Sequence, residues 1–290
     1  MIAAEQALQA ALDRAVESVG PLARPYPIYL TQPPDAESIA AVELMERETL
    51  RRYAARAVKE WSGHPLDEDP RAAVSRLIRR YVGSVITAAL VPLVHGVGLE
   101  LAPERVRVIM RSDLPQGTVI DAGEVLLSAE RPATWPVRGT EVASIAELRD
   151  RVFAALLGHI SWSFAAITAS IKVSPNLLWS TAAEQIDLLW EYAIEGRTPA
   201  AFAAASADRE QLLFAKELPG MAGPNPMLGL LYWEPAGDRI HQIQVRRVCC
   251  ANFVVPGRTQ GYCRNCDLIT EERRLVMWDE YRGASLKHGR

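Results

Sequence analysis

Apolar side chains recur at helical spacing through most of the chain and alternate over only a few short stretches. The first helix is predicted over 4–19, with Glu5, Asp13, Arg14 and Glu17 on its polar side and Gly20-Pro21 as its stop. Residues 24–30 (RPYPIYL) are expected to be extended, because Pro25 and Pro27 disfavour helix there. The spacing of Ile39, Val42, Met45, Leu50, Tyr53, Ala57 and Trp61 predicts one long helix over 36–61, closed by Gly63-His64-Pro65. Another is expected over 71–90, ended or kinked at Pro92.

Residues 106–110, 118–120 and 124–127 are short β-prone runs, separated at 113–117 and 121–123, and read as a small antiparallel meander. Helix returns over 145–171. Ser174-Pro175 opens the next, whose stripe is Leu178, Ala182, Ile186, Leu189 and Ala193, and Thr198-Pro199 opens another to about residue 218. After a Gly/Pro loop at 220–226, residues 240–248 (IHQIQVRRV) alternate like a strand, and Thr270 opens a last helix to about 281. The fold class is therefore α+β, mainly helical, with a small antiparallel meander. We divide the chain into a body over 1–238 and a C-terminal segment over 239–290.

Two stretches, 81–99 and 152–171, lack Asp, Glu, Lys and Arg and are about long enough to span a bilayer. Their Pro, Gly, His, Ser and Thr content makes buried core helices the better reading, so the protein is expected to be peripheral to a membrane at most. The N-terminus has no apolar signal core, and a cytoplasmic location is expected. Overall charge is −3, which gives no footprint for nucleic acid, but 239–290 carry +5 against −8 for the rest.

All four cysteines lie in that basic segment, as Cys249-Cys250, twelve residues, then Cys263-Arg-Asn-Cys266. In a reducing compartment, clustered cysteines point to metal before disulfides. C-x-x-C alone is common to zinc sites and redox dithiols. The adjacent pair discriminates: neighbouring side chains point apart and chelate one small ion awkwardly, whereas a two-iron cluster accepts sulfurs from a wider spread of directions. An iron–sulfur centre is thus favoured, with zinc, a disulfide or inert thiols as alternatives. A Rieske centre would need two histidines, and His241 is the only one nearby.

The run R-R-V-C-C-A-N-F-V-V-P-G followed by C-R-N-C resembles the C-terminal signature of the FhuF family of ferric-siderophore reductases. More loosely, the helix running into Pro92 and Gly96-Val-Gly98, the meander, and Leu177-Leu178-Trp179 opening a late helix extend the likeness over about 70–266. The resemblance implies a [2Fe–2S] cluster on Cys249, Cys250, Cys263 and Cys266, and one-electron reduction of a ferric siderophore in the cytoplasm. Here the spacer is twelve residues where the family has ten, an extension near Pro256-Gly257, and 24 residues follow Cys266.

No P-loop, HExxH, GxSxG or EF-hand pattern appears, and Gly96-Val-Gly98 is no dinucleotide fingerprint. A separate one-electron donor, a ferredoxin, flavodoxin or flavoprotein, is therefore expected. Arg246, Arg247, Arg258 and Arg264 either form a solvated face or offset an anionic cluster and dock such a partner. His95 and His159 are expected as hydrogen-bonded core histidines, and Trp179 and Trp190 as core or pocket wall. The rival functions are a non-catalytic iron–sulfur electron carrier or redox sensor, and a zinc-stabilised binding protein.

Overall fold

The long apolar helices build the centre of the molecule. The computed structural model describes residues 2–19, 26–61, 70–121, 125–130, 138–194, 199–236, 242–251 and 262–287. Helix α1 spans Ile2–Val19, α4 spans Arg71–Val94, α5 spans Ile145–Ser170 and α6 spans Pro175–Ile194. On α4 every residue from Tyr81 to Leu93 is buried, with Pro92 accommodated in the last turn before His95. α4 packs against α5 and α6; 83% of the most hydrophobic window of α4 is buried, as expected of a core helix, whereas only 50% of that of α5 is, one face of α5 packing on the core. His159 is the expected core histidine. Its Nδ1–H donates to the Leu101 carbonyl at 2.7 Å, and Nε2 accepts from the Tyr81 hydroxyl at 2.6 Å. Burial lowers its pKa, which keeps the ring neutral.

The expected helix over 36–61 divides. Ser38–Ala40 is a strand (β2), followed by α2 at Ala41–Leu44 and α3 at Arg47–Trp61. Ile39 pairs with Val108 of β4 (Val106–Arg111) and is buried, while Val42 is 37% exposed, so the apparent stripe is not one face. Non-local pairing overrides local periodicity here.

The expected meander is instead two mixed sheets. β5 (Leu114–Ile120) pairs antiparallel with β4 and parallel with β1 (Ile28–Tyr29), in the order β1-β5-β4-β2. The β4–β5 turn is tight: Ser112 and Asp113 both have positive φ, 48° and 57°, the left-handed geometry that matches strand twist. β6 (Val125–Ser128) joins a second sheet, antiparallel to β3 (Val97–Leu99) and parallel to β7 (Thr140–Val142). Gly98 permits this. A Cβ there would sit 2.9 Å from Val152 Cγ2 and 3.0 Å from Leu148 Cδ1, so β3 lies directly on α5.

After α7 (Pro199–Phe214), the chain forms a two-stranded hairpin, β8 (Leu231–Pro235) antiparallel to β9 (Gln242–Arg246). The last helix, α8, spans Glu271–Lys287. His64, His241, Pro256-Gly257, Arg258 and His288 lie outside the described residues.

Candidate functional site

Alternation along β9 sends its side chains to opposite partners. Ile243 and Val245 form a small apolar cluster with Ala236, against which Tyr232, Leu275 and Trp278 pack. Gln244 and Arg246 point the other way, into a polar stripe on α6. Gln244 donates to Asp187 at 2.6 Å, and Asp187 also accepts from Arg209 at 2.5 Å and Trp233 Nε1 at 3.2 Å. Burial pushes the Asp187 carboxyl upward despite these donors. Arg246 donates to Ser180, Thr181 and Glu184, each at 3.1 Å.

Glu184 is 1% exposed and joins three groups. Oε2 takes Arg246; Oε1 takes Arg79 of α4 and, at 2.6 Å, Asn265 Nδ2. Burial alone would raise its pKa, but Arg79 and Arg246 hold it down to about 2. Asn265 is the third residue of C-R-N-C, so the body grips the cysteine turn itself.

The cysteines follow from this seam. Cys249 and Cys250 leave the end of β9, and Ala251, with φ +55°, turns the chain sharply so that its N–H donates to Cys249 Sγ at 3.3 Å. The second pair closes a turn, Cys266 N–H to Cys263 carbonyl at 3.0 Å. This turn lies beside the strand end: Arg246 N–H donates to the Asn265 carbonyl at 3.1 Å, and Arg246 and Cys266 form a parallel bridge. From outside, Arg274 of α8 donates to the Cys266 carbonyl at 2.8 Å, the Ile269 carbonyl at 2.5 Å, and both oxygens of Glu234 at 2.7 and 2.6 Å. Tyr232 donates to Asp267 at 2.8 Å; burial and that carboxylate push its hydroxyl up to about 12.

Cys266 is buried, the other three are half-buried, and no disulfide links them. Burial pushes the Cys266 thiol up, against a hydrogen bond from Leu268, and the Cys249 and Cys263 sulfurs beside it add to the rise. Cys266 thus lies within electrostatic reach of both of these sulfurs. Among the described residues, no three His, Cys, Asp or Glu side chains are gathered so as to hold a metal ion as they stand. The donor chemistry nonetheless suits an iron–sulfur centre: soft sulfurs from two directions, with a backbone N–H already directed at one of them.

Residues 75–235 match the family described as Ferric iron reductase FhuF-like transporter. The chain belongs to that family. The match runs from α4 to the end of β8 and stops short of the cysteines, so it is carried by the body, where the sequence likeness is looser. No curated protein matches the chain. Among solved structures it is similar to the aerobactin synthetase IucC from a hypervirulent pathotype of Klebsiella pneumoniae, at 16% identity and a TM-score of 0.44. That likeness covers 67% of this chain and 36% of that one, so the chain spans about a third of the synthetase.

In this FhuF-like chain Arg246, Arg247 and Arg264, the described members of the arginine set, do not form one face. Arg246 is 5% exposed and ion-paired to Glu184, which removes it from any solvated docking surface. Arg247 is exposed, 4.5 Å above the Tyr232 ring, and Arg264 is half-buried, 5.6 Å from the Trp278 ring. Trp179 and Trp190 are core, Trp179 edge-on to Phe164. Glu184, Asp187, Arg79, Asn265 and Arg274 escape a motif search. Ser180, Thr181, Glu184 and Asp187, at helical spacing on a largely apolar helix, are the signal that could have found the seam.

Proposed function

We propose that this protein reduces a ferric siderophore by one electron, using a [2Fe–2S] cluster held by Cys249, Cys250, Cys263 and Cys266. The observation that carries the reading is the seating of the cysteine segment: Arg246 and Asn265 lock strand end and turn onto Glu184 of the body that carries the family match, and Arg274 ties the turn to the hairpin. When bound, such a cluster supplies one-electron storage. The chain's own residues then do three things. The strand end and the turn carry the two cysteine pairs that would hold the cluster, and the Ala251 N–H, which donates to Cys249 Sγ, would offset thiolate charge there. The seam holds that arrangement rigid, so little reorganisation accompanies electron transfer. Siderophores present hard oxygen donors that favour Fe(III) over Fe(II), so reduction loosens the chelate and no acid–base residue is required. A ferredoxin, flavodoxin or flavoprotein in the cytoplasm supplies the electron, since no nucleotide fingerprint is present.

The test is anaerobic purification followed by single turnover. About two irons and two labile sulfides per chain are expected, EPR-silent as oxidised and EPR-active once reduced. Mixing the reduced protein with a ferric siderophore should reoxidise it and release trappable Fe(II). A colourless protein with stoichiometric zinc would refute the cluster. A reduced protein that ferric siderophores leave unoxidised would make it an electron carrier.

A further inference from the structure

The ion pairs around the cysteine segment are unevenly charged. Asp187 pairs with Arg209 and Glu234 with Arg274, each one to one. Glu184 is shared by two guanidiniums, Arg79 and Arg246. At Glu184, two guanidiniums therefore face one carboxylate, a local surplus of one positive charge. Arg246 alone would satisfy Glu184: its side chain is 6% exposed and locked by two hydroxyls as well. Arg79 is the surplus cation, and its side chain is 41% exposed. It lies on the same Glu184 oxygen as Asn265, between Cys263 and Cys266, and within electrostatic reach of Cys263. Beside a half-buried site, a surplus cation is stabilised by a nearby anion. Four thiolates around a ferric two-iron, two-sulfide core supply one: the oxidised centre carries −2 and the reduced centre −3.

We infer that Arg79 and Glu184 are the pair that positions the cysteine turn and sets the reduction potential of the cluster, Arg79 raising it and Glu184 lowering it. This rests on the cluster assignment made above. Arg79 sits about 170 residues before the cysteines and is none of the arginines flagged from the cysteine motif. Added positive charge favours the more negative, reduced centre. Glu184 sits between that charge and the turn, and cancels part of it.

The measurement is an EPR-monitored redox titration of the iron-loaded full chain. Arg79→Gln leaves Glu184 with one arginine and should shift the potential negative. Its reduced-to-oxidised ratio at fixed poise should fall about tenfold, the scale of one partly screened charge at this range. Glu184→Gln should shift it positive, and the double variant should return close to wild type. Arg79→Lys keeps the charge and should hold the wild-type potential. A merely structural role would lower iron content in every variant without opposite shifts. Wild-type iron content with unchanged potential in Arg79→Gln overturns the inference and leaves the cluster standing. Should Arg79→Gln lose iron, Glu184→Gln decides: a positive shift supports the pair and no shift overturns it. A wild-type protein without a cluster overturns both readings.

Discussion

Replacing Arg274 with Ala should loosen the cysteine segment without unfolding the body. Arg274 is 4% exposed and makes four hydrogen bonds, all within the C-terminal hairpin and turn: two to Glu234, one to the Cys266 carbonyl and one to the Ile269 carbonyl. Breaking a buried pair costs about 3–5 kcal/mol. Glu234 is 16% exposed and regains some water, which lowers that figure, while two orphaned carbonyls add about 1 kcal/mol each. A local loss of about 3 kcal/mol follows, or about a hundredfold in the opening equilibrium. Native-state hydrogen exchange reads this directly. The Cys266 and Arg246 amides, bonded to the Cys263 and Asn265 carbonyls, should lose about a hundredfold in protection, about 3 kcal/mol. Amides of α5 and the buried half of α4 should not change. Unaltered protection at Cys266 and Arg246 would show that α8 does not clamp the turn.

Cys249→Ser, Cys263→Ser and Cys266→Ser should each abolish most iron loading, measured as iron and sulfide per chain; Cys250→Ser tests the adjacent-pair geometry, and full loading there would reassign that ligand. Glu184, held down to about 2 against an ordinary 4.5, contributes stability that is complete above about pH 4.5 and is lost as pH falls toward 2. Its share is about 3 kcal/mol, so thermal melts between pH 5 and pH 3 should drop more steeply for wild type than for Glu184→Gln; equal slopes would refute it. Neutralising Arg247 and Arg264 should slow reduction by an acidic donor protein, and the difference should fade with salt, since exposed charges are screened over about 8–10 Å. An unchanged rate and salt dependence would make them plain surface charges.

What the sequence reveals here tracks how local the determining interactions are. α4, α5 and α6 each carry enough periodic apolar residues to be predicted nearly to their ends. The strands β2, β3 and β8 are three to five residues long and owe their existence to partners far along the chain, so Ser38–Ala40 passes for helix and Leu231–Pro235 goes unnoticed. The cysteines are legible as a spacing. Their support is not, because it comes from α4, α6 and α8, three elements with no common motif. Arg246 and Arg247 look equivalent in an Arg-Arg pair, yet strand alternation puts the first inside and the second in solvent.

That alternation also explains why the hairpin meets the body through a polar seam instead of an apolar one. An apolar contact between β9 and α6 would tolerate sliding, since Ile243 and Val245 are nearly interchangeable in shape. With Gln244 on Asp187 and Arg246 on Ser180, Thr181 and Glu184, each side chain meets partners of matching charge or hydrogen-bond capacity. Moving the strand by one residue would set Val245 under Glu184, leave Arg246 without its carboxylate and turn the apolar face outward. Losing one partner of such a buried pair costs about 3–5 kcal/mol, far more than a methyl-sized mismatch. Register at β9 decides where Cys249 and Cys250 emerge, and the Arg246–Cys266 bridge decides how the second pair lies against them. If the proposed cluster draws on both cysteine pairs, polar specificity in this seam serves that task better than apolar burial, because it fixes the register from which both pairs emerge.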